Sequence, residues 1–326
     1  MSSESHAEIL RLLKETAGGY LSSARLSAQL GISRAAIWKQ IVALREQGYA
    51  IDATPSKGYR LAAGPDRLLS EEIQDGLATT VIGREIIFFA ETDSTNHRAA
   101  LLAESGARDG TVIVAEAQSA GKGRLGRRWT SPAGVNLYLS IILRPAIAPR
   151  AAPLLTFLSS LATARSIELE TGLRPTVKWP NDVLLGGCKV AGLLNEMNAE
   201  TERVNYVILG IGVNLNMTQE QFPDDLRYPA TSLALALQHP VDRVRFCRRL
   251  LSEIDLLYRD YPAGQEAILS GWLAYFDLLD KKVTVDEPSR SIVGTVTGIA
   301  ADGALLLTLA NGDSERILAG DVRPLP

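Results

Sequence analysis

The sequence predicts an α+β chain in three parts: a small helical N-terminal domain with a β-hairpin, a larger central domain, and a small all-β C-terminal domain. Three observations predict it. Apolar residues recur at helical spacing up to residue 47 and again in two long central segments. Short apolar strands separated by turn residues dominate the centre and predict a mixed or antiparallel sheet with helices beside it. After residue 280, strand-like runs alternate with Asp-Gly and Asn-Gly turns.

Composition excludes several classes of protein. The chain has 326 residues, of which 46% are hydrophobic and 22% charged, which is typical of a globular protein. No apolar run reaches the ~18 residues of a membrane span, and the first residues lack the apolar core of a secretory signal. Cys188 and Cys247 have neither disulfide-framework nor zinc-site spacing. We therefore expect a cytoplasmic protein that does not bind membranes.

Charge is distributed unevenly along the chain. The net charge is −3, but residues 1–63 carry eight basic against five acidic side chains, a net +3, which leaves −6 for the remainder. A basic end on an acidic chain favours nucleic-acid binding at that end.

The N-terminal domain shows a helix-turn-helix pattern. Residues 7–17 have one apolar helical face and end at two glycines. A second helix runs from Ser23 to Gly31, and Ser33 is a good N-cap for a third that ends near Gln47. Two short helices joined by a tight glycine turn are typical of this motif.

A β-hairpin follows over residues 49–61, so that residues 1–63 resemble a winged helix-turn-helix DNA-binding domain. The early residues of the third helix and the hairpin tip would then face DNA. These residues are Arg34, Ala35, Trp38, Lys39 and Lys57. A helical domain that docks proteins is the alternative, with Arg34 merely solvated and Trp38 in the core. Residues 62–66 read as a linker.

The central domain extends over residues 68–275. Helical spacing predicts long helices over 153–171 and 241–261. Candidate strands are 111–118, 136–143, 176–179, 189–195 and 204–214. Short turns between neighbouring strands favour antiparallel pairing.

A loop between Gln118 and Pro132 is the most informative stretch. Its glycines alternate with cations in the order Gly121, Lys122, Gly123, Arg124, Gly126, Arg127 and Arg128. Glycine lets backbone N–H groups approach an anion, and the cations offset its charge. The ending of a Walker A loop is absent, and no helix follows to receive a dinucleotide. The pattern predicts an anion-binding loop or, alternatively, an exposed flexible segment.

Five motifs resemble those of biotin–protein ligases and occur in that family's order. They are Asp93-Ser-Thr-Asn96, the glycine-arginine loop ending at Trp129, Asn136-Leu-Tyr138, Lys178-Trp-Pro-Asn-Asp182 with Gly187-Cys-Lys-Val-Ala-Gly192, and Gly210-Ile-Gly-Val-Asn214. Lys122 stands where the family has arginine, which conserves the charge. With the winged helix in front and a β tail behind, the whole chain resembles the ligases that also repress the biotin operon.

The resemblance implies a reaction in two steps. Biotin reacts with ATP to give biotinyl-5′-AMP and pyrophosphate, and a lysine of a biotin carboxyl carrier protein then displaces AMP. Because the first step brings two anions together, cations must offset their repulsion. Lys189 and Arg124 are the expected catalytic residues. The glycine-arginine loop is expected to be mobile when empty and ordered over the adenylate.

The resemblance also implies the binding residues. Biotin is expected to contact Ser94, Thr95, Asn96, Gln118, Lys122, Gly123, Arg124, Lys189 and Gly192. ATP or the adenylate is expected at Gly121, Arg124, Arg127, Trp129, Asn181, Asp182, Lys189 and Asn214, with Mg²⁺ at Asn181 and Asp182. Plainer interpretations remain open: a helix N-cap for Ser94 and Thr95, core packing for Trp129, a solvated Lys189, and turn chemistry for Asn181 and Asp182.

The tail over residues 279–326 is of five-strand scale and resembles the SH3-like domain of these ligases. It is expected to pack beside the active site, with no catalytic residue of its own. The repressor role implies operator DNA as a partner and a homodimer when biotinyl-AMP is bound. Two alternatives stay open, a pure DNA-binding regulator and a lipoate or octanoyl ligase of the same superfamily. An octanoyl-transferring enzyme would need a cysteine nucleophile beside a lysine, but Cys188 should point away from Lys189 on a strand.

Overall fold

A computed structural model describes residues 2–16, 18–64, 66–261 and 263–325. The chain forms two compact units, Met1–Arg67 and Leu68–Pro326. The second unit contains both the central domain and the β tail, whose apolar residues join one continuous core. The three boundaries expected from the sequence, 1–63, 68–275 and 279–326, remain predictions.

The N-terminal unit has three helices and a hairpin in the described residues. They are α1 Ser2–Glu15, α2 Ser23–Leu30, α3 Arg34–Glu46, β1 Ala50–Thr54 and β2 Gly58–Ala63. The Ser33 side chain accepts a hydrogen bond from the Ala36 N–H at the start of α3, and Gly31 ends α2 in the left-handed conformation. These are the capping roles that serine and glycine commonly take. The predicted helix-turn-helix and hairpin are therefore confirmed.

In the described residues 68–261 and 263–325, the larger unit is built on a seven-stranded sheet. Its strands are β3 Ile86–Phe89, β4 Val112–Ala115, β5 Leu137–Leu143, β6 Thr176–Lys178, β7 Asp182–Leu185, β8 Cys188–Ala199 and β9 Val204–Val213. The strand order is β3-β4-β5-β9-β8-β7-β6, with β3 and β4 parallel and the other pairs antiparallel. The expected mixed sheet is confirmed, although sequence patterning missed β3 and β7.

Helices cover both faces of the sheet. They are α4 Ser70–Gln74, α5 Thr95–Glu104, α6 Leu154–Thr171, α7 Leu233–Leu237, α8 Arg243–Arg259 and α9 Gln265–Leu273. Ile113 and Ile142 pack with residues of α5 on one face, while Val112 and Ile141 join the main core with α6 and α8. Because both faces are covered, β5 is buried throughout and shows no alternation.

Five strands form the β tail. They are β10 Lys282–Asp286, β11 Ser291–Ile299, β12 Leu305–Thr308, β13 Ser314–Ile317 and β14 Asp321–Pro324, in the order β13-β12-β11-β10-β14. The tail is attached to the central domain at Gly303, whose carbonyl accepts a hydrogen bond from Trp179 Nε1 at 2.9 Å. A Cβ at Gly303 would come within 2.8 Å of the Phe157 ring, so this turn lies directly against α6.

Candidate active site

A cavity of about 800 Å³ opens where β3 and β4 end. Parallel strands place their carboxyl ends at one edge of a sheet, so the segments after β3 and β4 meet there. The bridge between Thr92 and Gln118 extends this parallel pairing beyond the strands. Ser94 and Thr95 thereby come beside Gln118, although they are far apart in sequence.

Of the residues named from the sequence for catalysis and for binding biotin or ATP, all but one line this cavity. They are Ser94, Thr95, Asn96, Gln118, Lys122, Gly123, Arg124, Arg127, Trp129, Asn181, Asp182, Lys189, Gly192 and Asn214. Gly121 is not among them: it is buried, and a Cβ there would lie 2.4 Å from the Trp129 carbonyl oxygen. Its small size lets the two arms of the loop close together, as the hydrogen bond from Trp129 N to Gly121 O (2.8 Å) requires.

The deep end of the cavity is a hydrogen-bonded set of neutral side chains. Gln118 Oε1 accepts from the Thr95 backbone N–H at 2.8 Å, and Gln118 Nε2 donates to Ser131 Oγ at 2.9 Å. Ser140 Oγ lies 2.8 Å from Thr95 Oγ1 and 2.6 Å from Asn96 Oδ1. The Ser94 side chain makes no helix-capping hydrogen bond. This end is therefore fixed in place before any ligand arrives.

Glycines of β8 and β9 form the floor of the cavity, with Trp129 above them. Gly192 and Gly212 are paired across the two strands. A Cβ at Gly192 would lie 2.8 Å from the indole, and one at Gly212 would lie 2.7 Å from it. The Lys189 Nζ lies 5.4 Å from the centre of the same ring. Any larger residue at either glycine would displace the indole.

Cations and oxygen ligands meet at the centre of the cavity. Lys189 Nζ is 2.6 Å from Asp182 Oδ1, and Arg124 donates to Asn181 Oδ1 at 3.2 Å. Backbone hydrogen bonds hold Lys189 on both sides, from its N–H to Pro229 O at 2.7 Å and from the Thr231 N–H to its own carbonyl at 3.0 Å. Lys189 is therefore positioned inside the site, which disfavours the interpretation as a solvated hairpin-end lysine.

The glycine-arginine loop folds back on itself at the mouth. Gly123 N–H donates to Arg127 O at 2.7 Å, and a short 3-10 turn spans Arg124–Gly126. Leu125, at the tip, has a left-handed φ of 56° and is 67% exposed. The loop thus presents its arginine side chains while an apolar residue faces solvent.

The β tail contributes a carboxylate that the sequence did not identify. Asp321 lines the mouth, where it pairs with Arg127 and, at 2.8 Å, with Arg227. Arg124 also donates to the Gly320 carbonyl at 3.4 Å. The expectation that the tail holds no catalytic residue is untested, but the tail does reach the site.

The electrostatics favour an anion at this mouth. Burial lowers the pKa of Arg124, although Asp321 and Asp182 oppose that shift. Burial also lowers the pKa of Lys178, which lies 3.8 Å from the centre of the Tyr228 ring. Cations that have lost part of their hydration and are only partly neutralised gain from binding an anion.

Sequence reasoning also missed residues that line the cavity, among them Arg227 and Tyr228, and a residue directly behind it, Ser140. Arg227 and Tyr228 lie in an irregular segment without a motif, so no local signal could have found them. Ser140 could have been identified from the sequence. Apart from Tyr138, it is the one residue with a hydroxyl group in the otherwise apolar strand Leu137–Leu143. A polar residue in a buried strand needs a hydrogen-bond partner, which indicates a nearby polar site.

The five candidate DNA contacts lie on the surface of the N-terminal unit. Arg34, Ala35, Trp38, Lys39 and Lys57 are all exposed, and Trp38 is 57% exposed. Trp38 is therefore not a core residue. The third helix buries its opposite face, where Ile37, Ile41 and Leu44 are fully buried.

Comparisons with known families match three regions of the chain. The Biotin/lipoate A/B protein ligase family matches residues 88–214, an HTH domain matches residues 6–60, and the Biotin protein ligase C terminal domain matches residues 278–323. No helix in the described part of the chain is both long and apolar enough to cross a membrane.

Individual relatives agree with these matches. The chain is 37% identical to the bifunctional ligase/repressor BirA of Bacillus subtilis over 99% of both chains, and 32% identical to that of Escherichia coli over 91% of both. A biotin protein ligase from Aquifex aeolicus, solved with biotin and ATP, superposes with a TM-score of 0.62 at 27% identity, covering 74% of this chain and 99% of that one. The chain belongs to the biotin–protein ligases, in the branch of bifunctional ligase/repressors.

Proposed function

We propose that the cavity makes biotinyl-5′-AMP from biotin and ATP and then transfers biotin to a lysine of a biotin carboxyl carrier protein. The observation that carries this is the coexistence of two chemically different ends in one cavity. Neutral hydrogen-bonding groups at the deep end suit a neutral cyclic urea, and cations at the mouth suit a polyphosphate. ATP and biotin would then meet at Lys189, between the two ends.

In this proposal Lys189 contacts both the biotin carboxylate and the α-phosphate. A biotin carboxylate oxygen attacks the α-phosphorus, the bond to the β-phosphate breaks, and pyrophosphate leaves. Lys189 and Arg124 offset the repulsion between the two anions and the charge that develops in the transition state. Ser94, Thr95 and Gln118 would hold the ureido ring, and Trp129 would cover the adenylate. Arg127 would gather the outer phosphates.

In the second step, the amine of the carrier lysine attacks the carbonyl carbon of the mixed anhydride. An amide bond forms, the bond from carbonyl carbon to phosphate oxygen breaks, and AMP leaves. The glycine-arginine loop would exclude water from the anhydride until the carrier arrives.

Asn181 and Asp182 fit Mg²⁺ when it arrives with ATP. Mg²⁺ is usually held by one or two carboxylates together with phosphate oxygens and water. The Asp182 carboxylate and the Asn181 amide oxygen both line the cavity, and they already attract the cationic groups of Lys189 and Arg124. The described residues contain no cluster of three or more His, Cys, Asp or Glu that could hold a metal alone. Mg²⁺ would neutralise phosphate charge there.

We propose that the N-terminal unit binds operator DNA through Arg34, Ala35, Trp38, Lys39 and Lys57. Biotinyl-AMP would act as corepressor, since its retention favours a homodimer that places two such units on a palindrome. The reaction and the regulation both suit a cytoplasmic location.

Incorporation of labelled biotin into a biotin carboxyl carrier protein, with and without ATP and Mg²⁺, tests the ligase. We expect incorporation only with both. Absence of any acyl-adenylate would contradict the proposal.

Titration of a DNA palindrome, selected by the chain from a random library, tests the repressor. Affinity should rise when biotin and ATP are both present. Lys57→Ala should reduce the slope of log affinity against log salt by about one, as expected for loss of a phosphate contact. Lys281→Ala, an exposed lysine outside the N-terminal unit, is the matched control and should leave the slope unchanged.

A further inference from the structure

We propose that Ser140, held by Asn96 and Glu196, is a positioning residue that fixes the Thr95 hydroxyl as a hydrogen-bond acceptor. The deep end of the cavity would thereby select a ligand that offers an N–H donor. The inference rests on the proposed function, because it takes biotin as the ligand of that end. The inference concerns Ser140, Asn96 and Glu196, and of these only Asn96 lines the cavity.

The orientation of the Asn96 amide is fixed by its partners. Its Nδ2 donates to Leu194 O at 3.0 Å and to Glu196 Oε2 at 2.7 Å. A carbonyl and a carboxylate oxygen accept hydrogen bonds, so the nitrogen must face them. Asn96 Oδ1 therefore faces Ser140, and it can only accept.

The direction of the Ser140 hydroxyl proton is then fixed. It carries one hydroxyl proton, and Asn96 Oδ1 at 2.6 Å takes it. The Ser140 oxygen then lies 2.8 Å from Thr95 Oγ1 with no proton left to donate, so it is the nearer of two acceptors for the Thr95 proton, the other being Gln118 Oε1 at 3.2 Å. The Thr95 proton thus points into the protein, and its free lone pair points away from Ser140.

Gln118 is fixed independently from the opposite side. Its Oε1 accepts from the Thr95 backbone N–H, and its Nε2 donates to Ser131 Oγ, which in turn donates to the Trp129 carbonyl at 3.1 Å. Thr95 Oγ1 lies 3.2 Å from Gln118 Oε1, which is the longer of the two hydrogen bonds open to the Thr95 proton. With the Thr95 proton directed to Ser140, the two oxygens form a pair of acceptors, which matches a ureido N–H and repels an oxygen or an N-alkyl group in its place.

The backbone beneath these residues is adapted to hold Asn96. Ser140, Gly210 and Leu194 are neighbours across β5, β9 and β8, and Asn96 spans that row. A Cβ at Gly210 would lie 2.1 Å from Asn96 Oδ1, so only glycine leaves room for the amide. Asn96 and Ser140 are buried, at 4% and 0% exposure.

Steady-state adenylation with biotin and with its two ureido N-methyl derivatives tests this relay. Wild type should reject at least one derivative by roughly 100-fold or more, because a site built for an N–H discriminates strongly against its loss. In Ser140→Ala the Thr95 hydroxyl can turn. We expect kcat/KM for biotin to fall about tenfold, mainly through KM. The fall in kcat/KM for the rejected derivative should be smaller. The ratio of kcat/KM for biotin to kcat/KM for that derivative should therefore decrease.

Two further variants make the result decisive. Ser166→Ala removes an equally buried serine that donates to Ala162 O at 2.7 Å outside the cavity, and it should leave the ratio unchanged. Glu196→Leu, at an exposed position, should narrow the ratio less than Ser140→Ala, because Leu194 O still orients Asn96. If Ser140→Ala lowered kcat/KM by the same factor for biotin and for the derivative, at unchanged Tm, the proposed role of Ser140 would be overturned. Absence of adenylation in wild type would instead refute the proposed function.

Discussion

The deep end and the mouth of the cavity hold their side chains by different kinds of interaction. At the deep end, Thr95 is buried and Gln118 half-buried, and both are held by hydrogen bonds between neutral groups. At the mouth, Arg127 and Arg227 are more than a third exposed and are held by ion pairs with Asp321. Buried networks are rigid and specific, whereas exposed ion pairs are weak and screened by salt. Under the proposed function, selectivity for biotin would then be built into the deep end, while the mouth could rearrange as ATP enters and pyrophosphate leaves.

Removing the charge where the two ends meet should have the largest effect. Lys189→Gln keeps a similar length and polarity but cannot stabilise two converging anions. We expect adenylate synthesis to fall by roughly 10²–10³-fold, as for loss of one preorganised donor, with the fold retained. Pyrophosphate release measures this, and Lys281→Gln on the exposed surface is the control. Normal release by Lys189→Gln would show that the two ends do not meet at this residue.

Filling the floor should have the next largest effect. Gly212→Ala would place a Cβ 2.7 Å from the Trp129 indole, and such overpacking typically costs about 1–3 kcal/mol. We expect KM for ATP to rise roughly tenfold as the indole is displaced. In a Trp129→Ala background the same substitution should add little, because the clash is gone. Additive effects would mean that Gly212 acts on something other than the indole.

The sequence led to the deep end and to the arginines of the loop, but not to every residue of the mouth. Ser94, Thr95 and Gln118 were expected from motifs that resemble those of biotin–protein ligases. The structure brings them together because the parallel strands β3 and β4 end at one edge, and neither β3 nor that parallel pairing was predicted. Asp321 and Arg227 reach the site through contacts between distant segments, and no periodicity encodes such contacts. The helix-turn-helix was predictable because its caps and apolar stripe are local. Length alone does not explain why β3 and β7 were missed, because the equally short β4 and the three-residue β6 were predicted.

Loosening the loop should have an intermediate effect that separates chemistry from protection. Arg124 ties the loop to Asn181 and to the Gly320 carbonyl. Arg124→Gly should leave adenylation partly intact but shorten the half-life of enzyme-bound biotinyl-AMP by about tenfold, because water reaches the anhydride or the adenylate escapes. A pulse-chase with labelled biotin measures that half-life. An unchanged half-life would show that the loop does not protect the bound adenylate.

Neutralising the mouth carboxylate should have the smallest effect. Asp321→Asn frees Arg127 and Arg227 for phosphate, but exposed ion pairs contribute only ~0.2–1 kcal/mol, so KM for ATP should fall by at most about fivefold. The gain should shrink in high salt. KM for biotin should not change, and Asp313→Asn, at an exposed turn, should alter neither. A change in KM for biotin alone would show that the mouth and the deep end do not bind ATP and biotin separately.

The pH dependence of that small effect has a definite sign. Burial alone would raise the pKa of Asp321, but its hydrogen bond from Arg127 and the charges of Arg127, Arg227 and Arg124 outweigh burial and lower it. A carboxylate with a lowered pKa stays ionised until the pH falls through that lowered value. The difference in KM for ATP between wild type and Asp321→Asn should therefore be constant from about pH 8 to about pH 5.5. A difference that disappeared within this range would show that the arginines do not hold Asp321 ionised, and the mouth would then be less cationic than its ion pairs indicate.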